Sequence, residues 1–260
     1  MLPVVLLMPF GPFLRWGHGD TAALKSLLVR VLIAAVACAI IAAFFVHGQI
    51  KAIVGVAAGV WITVGVLLYA YKRWREAPRG RRYPAEMAGM LLAHFGMAVF
   101  VAGVLLSESL SVSSDVRMAP GQSKNIGGYD LRFDGVQRTT GPNWHADQGV
   151  VSVTRNGSQV TMMRPQKRTY AGDRVQTESA VDAGFTRDLY VALGEPMDAN
   201  NIQGAWSLRL YYKPFIRWIW GGGVLMMLGG FVCATDRRFR TKPLANSVGD
   251  IELLAQESSP

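Results

Sequence analysis

The stretch WSLRLYYKPFIRWIWGGGVLMMLGGFVCA, residues 206–234, decides the architecture of this chain. Its first part, 206–212, reads as a β-strand. The run that follows, 215–234, has the roughly 20 apolar residues a helix needs to cross a bilayer. A strand that feeds directly into a span ties a β domain rigidly to the membrane surface. Working outward, three further runs meet the same length requirement: 27–46, 53–71 and 85–106. Residues 1–14 are too short to span, carry prolines, and read as the end of a helix that begins elsewhere. The expected fold is a membrane α-helical bundle, four full spans plus a partial N-terminal one, with an inserted small antiparallel β domain. The expected divisions are a membrane region 1–107, a β-rich domain 108–212, a last transmembrane span 213–235 and a basic tail 236–260.

Charge supports this division. Half of the 260 residues are hydrophobic and 17% are charged, with long stretches nearly free of charge, as in a lipid-embedded chain. The net charge of +9 raises the question of nucleic acid. However, residues 108–212 hold 11 Lys/Arg against 11 Asp/Glu, so the large loop is neutral and no nucleic-acid partner is expected. The excess lies in KRWREAPRGRR (72–82) and in DRRFRTK (236–242), beside the apolar runs. By the positive-inside rule both are cytoplasmic, which puts 108–212 on the outer side and has the N-terminal stretch entering from there. Tyr69, Tyr71 and Trp74 then form an inner aromatic belt, and Tyr211, Tyr212, Phe215, Trp218 and Trp220 an outer one. Arg30, Glu86 and Arg217 lie close enough to span ends to reach the headgroups. The start of the chain has no basic region ahead of its apolar stretch, so no cleavable signal peptide is expected.

Within 108–212, residues 129–136 alternate in strand fashion, and 150–163 is broken by Asn156-Gly157, a strong two-residue hairpin signal. Residues 189–193 and 206–212 read as further strands, in a barrel or a sandwich. His145 falls in a polar segment, GPNWHADQG, read as a turn. In the spans, Gly55, Gly59, Gly221–Gly223, Gly229 and Gly230 permit close helix approach. Cys38 and Cys233 have no metal or redox spacing and read as small hydrophobes.

Four histidines are present, and depth separates them. His18 and His47 fall in loops, His145 in the outer domain, and His94 in the middle of the third span, within LLAHFGMAVF. An imidazole in hydrocarbon needs partners for both ring nitrogens, so His94 is the candidate functional residue. Met87, Met90, Leu91, Met97, Ala98 and Val101 share its helical face. That surface suits the edge of a porphyrin with His94 as axial ligand, a neighbouring helix whose carbonyl takes the N–H, or a proton relay, although no deep carboxylate supports the last. No nucleophile elbow, phosphate-cradling loop or His/Cys metal spacing occurs. Asp182, Asp188 and Glu195 read as solvated or locally paired carboxylates. Catalytic residues are therefore not assigned.

The segments MPFGPFLRW (8–16), LLAHFGMAV (91–99), TRNGSQV (154–160), FTRDLYVALGEP (185–196) and the opening stretch 206–230 resemble the C-terminal part of the cytochrome c haem lyase subunit, the CcmF/NrfE family of cytochrome c-type biogenesis. The resemblance implies a multi-pass protein of the bacterial inner (plasma) membrane that helps attach haem covalently to apocytochrome c. It implies a b-type haem held in the membrane, with His94, at the family's LAHFG position, as one axial ligand to the iron. The second ligand, the tryptophan-rich haem signature and the periplasmic histidines belong to an N-terminal part of the same subunit that has no counterpart here. Implied partners are that N-terminal part, a periplasmic haem chaperone, apocytochrome c with its thiol-handling proteins, and membrane lipid. The chain is then a split subunit or a truncated one, not expected to act as an enzyme alone. A non-haem, membrane-anchored assembly module with a periplasmic interaction domain is the alternative.

Overall fold

A computed structural model describes residues 2–13, 21–45, 49–78, 84–198 and 201–236. Its helices are α1 (Leu2–Leu7), α2 (Thr21–Phe45), α3 (Ile50–Glu76), α4 (Ala85–Leu110) and α5 (Ile216–Ala234), with a 3₁₀ turn at Gly11–Phe13. The last four are long and apolar enough to cross a membrane, and the protein is a multi-pass membrane bundle. At about 1.5 Å per residue the 19 residues of α5 just match a hydrocarbon core of about 30 Å.

The helices outrun the apolar segments. α3 continues through Lys72, Arg73 and Arg75 to Glu76, where the two arginines in its last turn favour the negative end of the helix dipole. The segment read as a loop from residue 72 is thus helical in its first part, and residues 79–83 lie outside the described ones.

α4 and α5 run antiparallel and approach until backbone meets backbone. A Cβ on Gly89 would stand 2.4 Å from the Gly229 carbonyl oxygen, one on Gly96 2.8 Å from the Gly222 oxygen, and one on Gly222 2.6 Å from the Phe100 nitrogen. No methyl group fits at those distances, so the seven-residue spacing of Gly89 and Gly96, repeated by Gly222 and Gly229, sets the crossing. At the end of the seam the Cys233 thiol donates to the Glu86 carbonyl at 3.1 Å, and the Asp236 carboxylate accepts the Glu86 backbone N–H at 2.9 Å. Asp236 thereby satisfies one of the orphan donors that open α4. α3 packs on the next face of α4, with Gly59 against Ala102. Phe10, Leu27 and Val31 join α2 to α3.

Between α4 and α5 the chain builds ten strands: β1 (Val112–Met118), β2 (Ser123–Ile126), β3 (Tyr129–Thr140), β4 (Trp144–Arg155), β5 (Ser158–Met163), β6 (Gln166–Tyr170), β7 (Arg174–Glu178), β8 (Ala180–Ala183), β9 (Arg187–Pro196) and β10 (Trp206–Pro214). They form two antiparallel sheets, β1-β10-β9-β8 and β2-β3-β4-β6-β7, with β5 also on β4. No strand of one sheet pairs with the other, so the strands do not close into a barrel. The sheets curl over one core in which Leu131, Phe133, Val151 and Val153 meet Leu189, Val191, Leu193, Trp206, Leu208 and Leu210. The Asn156-Gly157 turn is present as expected: Arg155 pairs with Ser158, and both turn residues have positive φ, 50° and 79°. His145 corrects the turn reading. It lies in β4, flanked by Thr140 of β3 and Thr169 of β6, because pairing on both edges holds that polar segment extended.

The two halves join as the opening stretch implied. β10 ends at Pro214 and α5 begins at Ile216, the whole change of direction falling on Phe215 in a left-handed conformation (φ 57°). A non-glycine residue there costs about 1 kcal/mol or more. Tertiary contacts offset it: the Phe215 N–H donates to the Thr186 carbonyl at 3.0 Å, and its ring meets Trp218 edge-on at 5.0 Å.

The seam is testable by two neighbouring glycines. Gly222→Ala should lower stability in detergent-solubilised unfolding by about 1–3 kcal/mol through overpacking. Gly223, with nothing within 4 Å of its absent Cβ, should accept Ala with no loss. Equal responses would mean that the seam does not set the packing.

Candidate functional site

His94 sits near the middle of α4, part-buried, and its ring is fixed by its own helix. Nδ1 lies 2.8 Å from the Met90 carbonyl oxygen, one turn back. A carbonyl only accepts, so the bond requires the proton on Nδ1. The neutral ring then carries its lone pair on Nε2, the tautomer that ligates a metal with the second nitrogen already engaged. No group among the described residues hydrogen-bonds Nε2. None of these residues forms a cluster of three or more His, Cys, Asp or Glu able to hold an ion. The donor set is therefore one imidazole among apolar and thioether side chains. That fits an axial ligand to a macrocycle better than a bare-ion site.

The α4–α5 seam fixes which way the ring faces. Gly96 touches α5, and His94, two residues earlier, is turned about 200° from it around the helix. Of the six neighbours expected on its face, Leu91, Met97 and Ala98 belong to the contact with Ile62 and Val66 of α3. Met87, Met90 and Val101 are half-buried. A separate apolar cavity of about 720 Å³ opens between α3, α4 and α5, lined by Phe95, Ala98, Val99, Phe215 and Trp218, and His94 does not line it. The Trp218 indole N–H, buried there, has no partner among the described residues. Trp220 is 75% exposed, as a belt residue should be. His18 and His47 lie outside the described residues. His145 is exposed in β4 beside Arg138 and Asp147 and makes no site with His94.

Polar ties hold the β domain against α5. Asp188, 5% exposed, accepts the Gly184 N–H at 3.1 Å, with Arg217 Nε 3.8 Å from its carboxylate. Asp188 is thus buried and bridging, the paired alternative of the sequence reading, as Asp182 pairs with Arg187 and Glu195 with Lys167. Arg187 also donates to the Tyr129 hydroxyl at 3.0 Å, linking the two sheets. Burial alone would lower the Arg187 pKa, but the hydrogen bonds to Tyr129 and Asp182 outweigh it and hold the value above normal. Tyr190 is raised above its usual value near 10 by burial and then by the adjacent Asp188 charge.

A helical membrane hairpin closed by backbone contact, carrying a two-sheet domain in its loop and one oriented imidazole at mid-span, defines a polytopic membrane protein. Comparison with known proteins specifies it. The family model described as "CcmF C-terminal beta-sandwich" matches residues 109–214. Cytochrome c-type biogenesis protein CcmF of Escherichia coli is 38% identical over 93% of this chain, which covers 37% of that protein. The NrfE protein of Haemophilus influenzae is 33% identical over 66% of the chain and 26% of its own length. A solved structure titled "Cytochrome c Heme Lyase CcmF" shares the fold, with TM-score 0.70 and 19% identity over 88% of this chain and 38% of that one. The chain belongs to the CcmF/NrfE family of cytochrome c biogenesis proteins and corresponds to its C-terminal part. It spans little more than a third of the length of the curated relatives it matches.

The Tyr190 environment makes a pH prediction. A raised folded-state pKa stabilises the fold fully below the unfolded value near 10, and this contribution fades as pH rises through the folded value. Stability of the wild type should therefore fall more steeply than that of Tyr190→Phe as pH climbs past 10, followed by the tryptophan fluorescence of thermal unfolding. Parallel curves would remove Tyr190 from the linkage.

Proposed function

We propose that this chain is the C-terminal portion of a cytochrome c haem lyase subunit, in which His94 supplies one axial ligand to a b-type haem held in the membrane. The observation that carries the reading is the contact of His94 Nδ1 with the Met90 carbonyl oxygen at 2.8 Å, which engages one ring nitrogen and leaves Nε2 for a partner. Bound haem would supply a redox-active iron, able to keep incoming haem reduced while its vinyl groups are joined to apocytochrome thiols. The work of this chain is to orient one ligand, exclude water with Met87, Met90 and Val101, and present the β domain beside the site. The second ligand comes from an N-terminal part of the subunit.

The β domain faces the periplasm and the tail the cytoplasm of a bacterial inner membrane, supported by the basic residues at the end of α3 and after α5. Its rigid exit through Phe215 suits it to receive partners at a fixed height above the membrane: the haem chaperone, apocytochrome c and its thiol-handling proteins. The subunit is inactive without its N-terminal part.

Co-production with that N-terminal part tests the reading. The purified complex should show a reducible b-type absorption band, and His94→Ala should lose most of the bound haem by pyridine haemochrome assay while the complex stays assembled. A full haem complement in His94→Ala would remove the residue from the role. A colourless wild-type complex that still binds its partners would instead favour the non-haem assembly module.

A further inference from the structure

On the membrane face away from the β domain, where α2 begins and α3 ends, a cavity of about 630 Å³ is lined by Phe13, Ser26, Leu27, Arg30, Leu68, Tyr71, Lys72, Arg75 and Glu76. Its lining is of two kinds: Leu27, Leu68 and Phe13 form an apolar floor, while Arg30, Lys72 and Arg75 bring cations to it from two helices. Three cations against the single carboxylate of Glu76 leave a local excess of two positive charges. No carboxylate among the described residues comes within ion-pairing distance of Arg30, Lys72 or Arg75.

These cations are held in place by contacts that leave donors free. Arg30 Nε donates to the Ser26 carbonyl at 3.1 Å and its Nη2 to the Ser26 hydroxyl at 3.2 Å, which uses two of the five N–H groups of a guanidinium. Lys72 Nζ stands 5.8 Å from the centre of the Phe13 ring and the Arg75 guanidinium 5.9 Å from that of Tyr71. A free side chain of this kind would extend into water. Here aromatic faces draw two of them back over the cleft.

We propose that this cleft binds the phosphate group of an anionic glycerophospholipid from the leaflet opposite the β domain, its acyl chains following the apolar floor between α2 and α3. Charge complementarity selects the head, because a zwitterionic lipid brings its own cation among Arg30, Lys72 and Arg75. The floor selects a lipid over free phosphate, since an inorganic ion leaves Leu27, Leu68 and Phe13 uncovered. The site needs no haem and is independent of the role of His94. It ties α2, which shares less of its surface with the bundle than α4 does, to α3 through a bound lipid.

The test uses the intact chain in nanodiscs of phosphatidylglycerol and phosphatidylcholine in equal parts, followed by detergent release and native mass spectrometry. Phosphatidylglycerol should be retained over phosphatidylcholine by at least about fivefold, the scale expected for basic clusters at the bilayer surface. The double variant Lys72→Gln with Arg75→Gln should bring that ratio close to one, while Lys25→Gln, an exposed cation of α2 outside the cleft, should keep it. In the wild type, a diazirine-bearing phosphatidylglycerol should label peptides holding residues 26–30 and 68–76, a readout that needs no variant to fold. Equal retention of the two lipids, retention unchanged in the double variant, displacement by excess inorganic phosphate, or labelling elsewhere would each overturn the proposal.

Discussion

The backbone contact between α4 and α5 is the constraint on which the rest of this protein depends. A domain of ten strands is inserted between two consecutive spans, so these spans are the ends of one very long loop. Closing such a loop costs entropy that grows only slowly with its length, and the cost must be met where the ends meet. Without a hydrophobic drive between helices in lipid, van der Waals contact supplies the attraction, and it is strongest where no side chain intervenes. Gly89 and Gly96 on one helix and Gly222 and Gly229 on the other provide that contact. The β domain then adds its own closure, because β1, which leaves α4, pairs along its whole length with β10, which enters α5. Seam and strand pair hold the same two chain ends, one inside the bilayer and one above it.

The seam also determines what α4 shows to the rest of the membrane. With Gly96 committed to α5 and Ala98 to α3, the helical repeat leaves His94 beside the α3 contact and turned from α5. The imidazole does not line the cavity between α3, α4 and α5. Direction and tautomer are thus set by separate devices, the glycine seam for the first and the Met90 carbonyl for the second.

Much of this was legible in the sequence, and the gaps have physical causes. Apolar runs marked the four spans, but helix ends ran past them because charged residues such as Lys72 and Arg75 continue a helix without being buried. Asn156-Gly157 announced its hairpin. β6 and β7 gave no signal: QKRTY and RVQTE bury no face fully, and tertiary pairing alone makes them strands. The same cause hid His145 in a presumed turn. Among the glycines noted from sequence, Gly222 and Gly229 form the seam while Gly221, Gly223 and Gly230 face open space. Small size alone could not separate them, although the seven-residue spacing of Gly89, Gly96 and Gly103, matched by Gly222 and Gly229, carries the distinction. His94 stood out because depth makes an imidazole costly. Of the six neighbours on its face, Leu91, Met97 and Ala98 meet α3, and i±3 and i±4 spacing alone does not say which side of the helix another helix occupies.

The cost of the imidazole carries the last step of the argument. In hydrocarbon an unsatisfied polar group is worth several kcal/mol. His94 meets half of that demand within its own turn, through a carbonyl that is already in the helix. The other half, the Nε2 lone pair, is an acceptor for which α1–α5 provide no donor. A helix evolved only for packing would lose little by carrying Leu or Met there, as the surrounding positions do. An imidazole whose Nδ1 is already engaged by the Met90 carbonyl is accounted for where a partner beyond these five helices meets its Nε2. On the proposed reading that partner is haem iron.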